Sequence, residues 1–277
     1  MTTNNAARQK LKVGHMTYLN SEVFYRKLPT ESCELIAMHP RAMAVAVESG
    51  ELAAGPLPIA EVFRLGDQVR SLGNLGVSSD GPALSVCLFS HKPIEMLSDK
   101  KIAVTTHTAT SIQLLRVLFA DLWDVSGHEF VDIADAHDAA LWIGDPALER
   151  KASGQYPYQY DLGSAWKKLT GLPFVFAEWV IRTDTPRELA EIFEQVLIES
   201  TQAGIRSVGE ISRARATQKM TESEVIKYVR NFAYFFGPDE RAGQTEFKTR
   251  LGKLSVWRPA SATGAGAIEM RAISTSY

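Results

Sequence analysis

The sequence predicts an α/β protein of two lobes with a ligand cleft between them. Three observations predict it. Short apolar runs alternate with amphipathic stretches from Leu11 to Ile181, the pattern of strands alternating with helices. Two strongly apolar runs, Ser85–Ser90 and Phe174–Arg182, bracket a middle segment with strand–helix–strand units of its own. From Arg187 onward the pattern is helical. A chain that crosses into a second lobe and returns has this layout, and ligand then lies between the lobes. The expected lobes are 11–90 plus 175–257, and 91–174, with 1–10 and 258–277 as flexible ends.

At 277 residues the chain is long enough for two lobes with real cores. Thirty basic against 32 acidic residues leave a formal charge of −2, and no basic run occurs. That argues against nucleic acid or an anionic membrane surface as partner. A small anionic ligand needs only local donors and stays open. The two cysteines, Cys33 and Cys87, form no CxxC pair, and no Cys/His cluster has zinc spacing. Residues 1–10 lack the apolar core of a secretory signal, and no apolar stretch is long enough to span a membrane. The expectation is a cytoplasmic protein, monomer or homodimer.

Taken in order, Leu11–Met16 reads as a first strand and Thr17–Ser21 as a polar turn. Glu22–Leu28 follows as a short helix with Ser21 as its cap. Loops after a first strand often contact ligand in an open α/β sheet, so Asn20 and Ser21 are candidates; Asn20 equally suits a plain turn. Leu35–Met38 is a second strand. Pro40 opens a helix that Gly50 stops. A strand closed by the Pro56–Pro58 turn precedes a helix over Ile59–Leu65.

Gly76 to Ser90 reads as a tight polar turn running into a buried strand of a parallel sheet. Its glycines, Pro82, Ser78, Ser79, Asp80 and Ser85 supply a turn crowded with hydrogen-bonding groups. Either it is a structural loop or it is a carboxylate-binding crevice with Ser78 and Ser85 as donors. Lys101–Thr106 is a strand that ends in the hydroxyls of Thr105, Thr106, Thr108, Thr110 and Ser111. A helix carrying Ile112, Leu115 and Leu118 follows. Free amides, a positive helix end and clustered hydroxyls make an anion site there, or one threonine simply caps the helix.

Phe130–Ile133 and the run to Ile143 are further strands, with Gly144 and Asp145 at a strand end. Tyr156–Tyr160 reads as irregular, and Asp161–Lys168 as a short helix or turn. Leu172–Ile181 is a strongly apolar strand. Helices follow from Arg187, from a capping box at Thr221–Glu224 that continues through Phe235, and from Asp239 to Leu254.

The sequence holds no GxGxxG, no GxxxxGK[ST], no HExxH and no GxSxG. No nucleotide, metal, flavin or other cofactor is implied. Chemistry must use carboxylates, amides, hydroxyls and backbone donors.

From about Leu11 to Leu254 the chain resembles the menaquinone biosynthesis family that includes chorismate dehydratase, the first enzyme of the futalosine route. The resemblance is carried by Tyr18-Leu19-Asn20-Ser21, Gly76 to Ser90, Thr105 to Ser111, Ile143-Gly144-Asp145 and Tyr160-Asp161-Leu162-Gly163. Thr170 to Ala177 and Tyr228-Val229-Arg230-Asn231 complete it. Two departures stand out: Val23 replaces a usual proline, and Gly55 to Ala60 reads Gly-Pro-Leu-Pro-Ile-Ala where a valine–proline–serine turn is expected.

The resemblance implies a two-lobed fold of the periplasmic-binding-protein type II kind, turned to cytoplasmic catalysis. It implies a lyase that removes water from chorismate, a dicarboxylate, to give 3-(1-carboxyvinyloxy)benzoate. On that reading Asn20 is catalytic. Tyr18, Ser21, Ser78, Ser85, Thr106, Thr108, Thr110, Ser111, Gly144 and Asp145 bind substrate. Asp80, Asp145 or a substrate carboxylate takes the proton. The competing reading is a non-catalytic or divergent binding protein for a small carboxylate. The dihydroxynaphthoate-forming sister enzyme is disfavoured by the YLN and SSDGP motifs.

Overall fold

In the computed structural model, which describes residues 10–105 and 108–254, two mixed sheets each carry helices and meet at a cleft. The expected flexible ends lie outside the described residues, apart from Lys10.

The first body begins with β1 (Leu11–His15), a single 3-10 turn over Leu19–Ser21, and the one-turn helix α1 (Glu22–Tyr25). Ser21 does not cap α1 through its side chain. There follow β2 (Cys33–Ala37), α2 (Pro40–Ser49), β3 (Ala54–Pro58), α3 (Ile59–Leu65) and β4 (Val69–Ser79). Pro40 does open α2, and Gly50 ends it in the left-handed conformation that a branched residue adopts only with strain.

The second body takes β5 (Val86–Ser90), β6 (Lys101–Val104), α4 (Thr110–Leu118), β7 (Glu129–Asp132), β8 (Ala139–Ile143), α5 (Asp145–Ser153), β9 (Tyr158–Asp161) and α6 (Leu162–Thr170). The chain returns through β10 (Phe174–Arg182). It closes with α7 (Arg187–Arg206), α8 (Val208–Arg215), α9 (Glu222–Arg230), β11 (Ala233–Phe235) and α10 (Pro238–Lys253).

One sheet runs β11-β4-β10-β3-β1-β2 and the other β7-β6-β8-β5-β9. In the first, β1 is parallel to β2 and β3, while β10 is antiparallel to β3 and β4. In the second, β6 is parallel to β7 and β8, while β5 is antiparallel to both of its neighbours. The parallel setting expected for Val86–Phe89 is therefore corrected. Every residue of β5 is buried, and burial on both faces produces an unbroken apolar run whichever way the neighbours point.

Other differences have equally local causes. Gly76–Ser79 is the end of the long strand β4 rather than part of a turn, and its small residues suit a crowded interior: a Cβ on Gly76 would fall 2.2 Å from Ala177 O. Tyr158–Asp161 is a strand because β5 offers it a partner. The helix after Thr221 ends at Arg230, and Ala233–Phe235 joins the edge of β4. The capping box at Thr221 and Glu224 is present as expected. β5 hydrogen-bonds into the five-stranded sheet, so the chain enters the second body at residues 80–85.

The return crossing, 171–173, lies beside the outward one, since Phe174 pairs with Ser79. A core of Leu88, Leu114, Leu118, Trp166, Phe174 and Phe247 joins α4, α6 and α10 at these crossings. A second core packs α1, α7 and α9 on the six-stranded sheet through Phe24, Trp179, Phe193 and Val225. Glu178, buried in β10, is neutralised by Arg241 at 2.7 Å and bonded by Gln244 at 2.9 Å. Both cysteines are buried and free. No helix among the described residues is long and apolar enough to cross a membrane.

Candidate active site

The loops that follow the carboxyl ends of β1, β2, β3, β6 and β8 all open on one cleft, where open α/β sheets place their ligands. Its walls are Tyr18 and Asn20 after β1, Pro40 after β2, Pro58 at the end of β3, Ala109, Thr110 and Ser111 at the start of α4, and Gly144 after β8. Ser85 comes from the outward crossing and Val86 from the start of β5. Met16, Val77, Ile143, Phe176, Ala177 and Phe232 make the apolar floor. Its enclosed part is small, about 70 Å³, and the rest of the cleft opens to solvent.

No ionisable acid or base except the Tyr18 phenol lines this cleft among the described residues. Burial pushes the Tyr18 phenol above its ordinary value, and Asp145 adds to the shift, so it stays protonated. The donors are therefore neutral. Asn20 Oδ1 accepts from Ser21 Oγ at 3.3 Å, and its amide nitrogen has no partner among the described residues. Ser111 is buried, and its hydroxyl has none either. The N-cap of α4 is Ala109, which offers no side-chain acceptor to the first amides of the helix, and Ala109, Thr110 and Ser111 line the cleft.

Thr110 lines the cleft, but its hydroxyl accepts from Ala60 N–H at 3.2 Å and so caps α3. Thr108 donates to Thr105 O at 2.5 Å. Thr106 lies outside the described residues. Ser21 is buried behind Asn20, and Ser78 is directed at Ala233 O at 3.4 Å; neither is among the cleft residues.

Asp145 stands at the rim. Its carboxylate accepts from Leu19 N–H at 3.3 Å and from Arg215 at 2.9 Å, while Arg215 also reaches Glu22. Asp80 pairs with Lys167 at 2.5 Å on the surface and is not in the cleft. Both carboxylates are engaged in ion pairs, and neither is among the cleft residues. Gly144 has φ 64° and ψ −149°, a region closed to branched residues, and a Cβ there would meet the Tyr18 ring at 3.1 Å. Of the two sequence departures, Pro58 lines the cleft. Val23 does not: it is fully buried, with its backbone against Gly204 of α7.

The turn that delivers Ser85 is held from two sides. Asp161 accepts from Ala83 N–H at 2.9 Å and Leu84 N–H at 2.7 Å, and the same carboxylate caps α6 through Ser164 N–H at 3.0 Å. From α9, Tyr228 meets Ser85 Oγ at 2.6 Å, and Asn231 donates to Pro82 O at 2.7 Å. These three residues sit in stretches that carry the family resemblance, which was the available signal. Their role needed the contacts.

Comparison with known proteins agrees with the architecture. The sequence profile of a family described as menaquinone biosynthesis matches residues 11–253. A chorismate dehydratase from Thermus thermophilus is 26% identical over 260 residues, covering 87% of this chain and 94% of that protein. A crystal structure from Archaeoglobus fulgidus superposes with a TM-score of 0.71 at 16% identity, covering 89% of this chain and 98% of the other. A Candida albicans protein described as having the generic periplasmic binding protein fold gives a TM-score of 0.59 at 10% identity, over 91% and 92% of the two chains. The fold is that of the periplasmic binding proteins.

Proposed function

Because the chain belongs to the menaquinone biosynthesis family, we propose that it is a chorismate dehydratase, a carbon–oxygen lyase acting in the cytoplasm on a small dicarboxylate. The observation that carries this reading is the cleft itself: an apolar, aromatic-bearing floor beneath neutral donors from Asn20, Ser85, Ser111 and the first amides of α4. Such a site suits a flat six-membered ring bearing a carboxylate.

Loss of water from chorismate makes the ring aromatic, so the enzyme need not drive the equilibrium. It must let the C3 hydrogen leave as a proton and the C4 hydroxyl depart. The ring carboxylate acidifies that hydrogen through the diene. Donors preorganised on this carboxylate stabilise the charge that spreads into it, and one such donor is worth about 3 kcal/mol of barrier. Ser85, Ser111 and the start of α4 supply this grip, with the α4 dipole adding to it. Asn20 holds the departing hydroxyl or the ether oxygen and orients the ring. Tyr18 and Gly144 close the side of the cleft, and Asp145 serves the rim. The two carboxylates weighed for the proton, Asp80 and Asp145, are both held in ion pairs, which favours a carboxylate of the substrate itself as the proton acceptor.

The test is incubation of the purified chain with chorismate, with products followed by chromatography and mass detection. Formation of 3-(1-carboxyvinyloxy)benzoate is expected. Asn20→Ala should slow it by a hundredfold or so, the scale of a lost transition-state donor. Bound but unconverted chorismate would sink the enzyme reading and leave a binding protein for small carboxylates.

A further inference from the structure

We propose that Tyr228 is a positioning residue for this site: its buried hydroxyl donates to Ser85 Oγ and so commits the Ser85 proton to the bound carboxylate. The inference rests on the dehydratase reading and deepens it. Ser85 and Tyr228 are 1% and 2% exposed, and their oxygens are 2.6 Å apart. In the Ser85–Tyr228 contact alone, either atom can donate. The Tyr228 hydroxyl has no other hydrogen-bond partner among the described residues, whereas Ser85 lines the cleft. A carboxylate in the cleft accepts only. It therefore takes the Ser85 proton, and Ser85 must accept from Tyr228. A phenol also donates more readily than an alcohol, so the order Tyr228 O–H to Ser85 O–H to carboxylate is favoured at both links. Hydrogen bonds in such a chain strengthen one another in a low-dielectric interior. Burial raises the Tyr228 phenol well above its ordinary value, which keeps its proton in place.

The backbone around Ser85 is built to keep that contact. Leu84 has φ 65°, an uncommon conformation for a bulky side chain, and it persists where the surroundings over-determine it. Asp161 takes the amides of Ala83 and Leu84, and Gly144 N–H donates to Ser85 O at 2.8 Å. Asn231, one turn beyond Tyr228, holds Pro82 O. Gly163 of α6 lets the turn approach, since a Cβ there would lie 2.4 Å from Gly81 O. The arrangement leaves the Ser85 side chain pinned between Tyr228 and the cleft.

The experiment is a double-mutant cycle of Tyr228→Phe and Ser85→Ala, read both as chorismate turnover and as chorismate affinity by calorimetry. Tyr228→Phe alone is expected to lower kcat/KM by about tenfold or more, the scale of a hydrogen bond that supports an ion. In the Ser85→Ala background the same change should cost less than about twofold. Tyr234→Phe is the matched control: its hydroxyl donates to Val229 O at 2.9 Å in an equally buried setting without touching Ser85. It should lower stability similarly and leave kcat/KM within about twofold. Wild-type kcat/KM in Tyr228→Phe, or an equal loss with and without Ser85, overturns the inference. A wild-type chain that binds chorismate without converting it overturns the dehydratase reading, and the affinity cycle still judges Tyr228. Absence of binding overturns both.

Discussion

Thr108 and Thr110 are hydroxyls whose bonds are already made, and Ser111 beside them is not. The sequence displays five hydroxyls between Thr105 and Ser111, which signals an anion site. It cannot display that Thr110 reaches Ala60, 50 residues away, to satisfy an amide in the first turn of α3. The two roles separate by mutation. Thr110→Val leaves the Ala60 N–H buried and unpaired, so it should cost about 1–2 kcal/mol in urea denaturation while chorismate affinity stays within about twofold. Ser111→Ala should do the reverse: affinity falls by about five- to tenfold, with little change in the urea midpoint. The opposite pattern would move the binding role to Thr110. Asn20 was legible as a candidate because an amide after a first strand is a common ligand contact. Tyr228 was not, because a tyrosine within an apolar helix face reads as core until its hydroxyl is seen on Ser85.

Elements with chemical punctuation were legible to within a residue or two, and short unpunctuated ones were not. Pro40 and Gly50 bracket α2, and Thr221 with Glu224 opens α9, because these residues act on their own backbone. β9 and β11 have four and three residues, too few for a period to distinguish strand from helix, and both exist because a neighbouring strand needs a partner. The direction of β5 was hidden for a related reason, since two buried faces look alike in parallel and antiparallel sheets. Close approaches between elements were also hidden. Gly204 in α7 looks like an ordinary helix interruption, yet a Cβ there would lie 2.0 Å from Val23 O in α1. Gly204→Ala must therefore push α1 off α7, and the expected loss is about 1–3 kcal/mol in spite of the better helix former. Gly252→Ala in α10 meets nothing within 4 Å and should gain about 0.5–1 kcal/mol. Equal urea midpoints for the two variants would show that α1 shifts without cost.

At the scale of the molecule, two bodies joined by adjacent crossings at 80–85 and 171–173 enclose the cleft, and the Arg215–Asp145 ion pair joins them at its rim. Arg215 belongs to α8, packed with the six-stranded sheet, and Asp145 opens α5 of the other body. The same carboxylate accepts from Leu19 N–H, immediately before Asn20. If the bodies close on substrate, this pair would hold the donors that follow β1 towards Ser111 and Ser85 and help exclude water. The side chains of Arg215 and Asp145 are 29% and 41% exposed, so the pair is screened and contributes at most about 1 kcal/mol. That is small against global stability but sufficient to shift an open–closed balance about fivefold. Asp145→Asn retains an oxygen for Leu19 N–H and removes the charge. It should raise KM for chorismate by about threefold to fivefold, leave kcat nearly unchanged, and move the melting temperature little. Because the interaction is electrostatic and partly exposed, raising the salt concentration should raise KM for the wild type towards the variant's value. A KM that responds to neither the substitution nor salt would mean that the cleft closes without this pair. A fall in kcat would instead place Asp145 among the groups that act on the reacting ring.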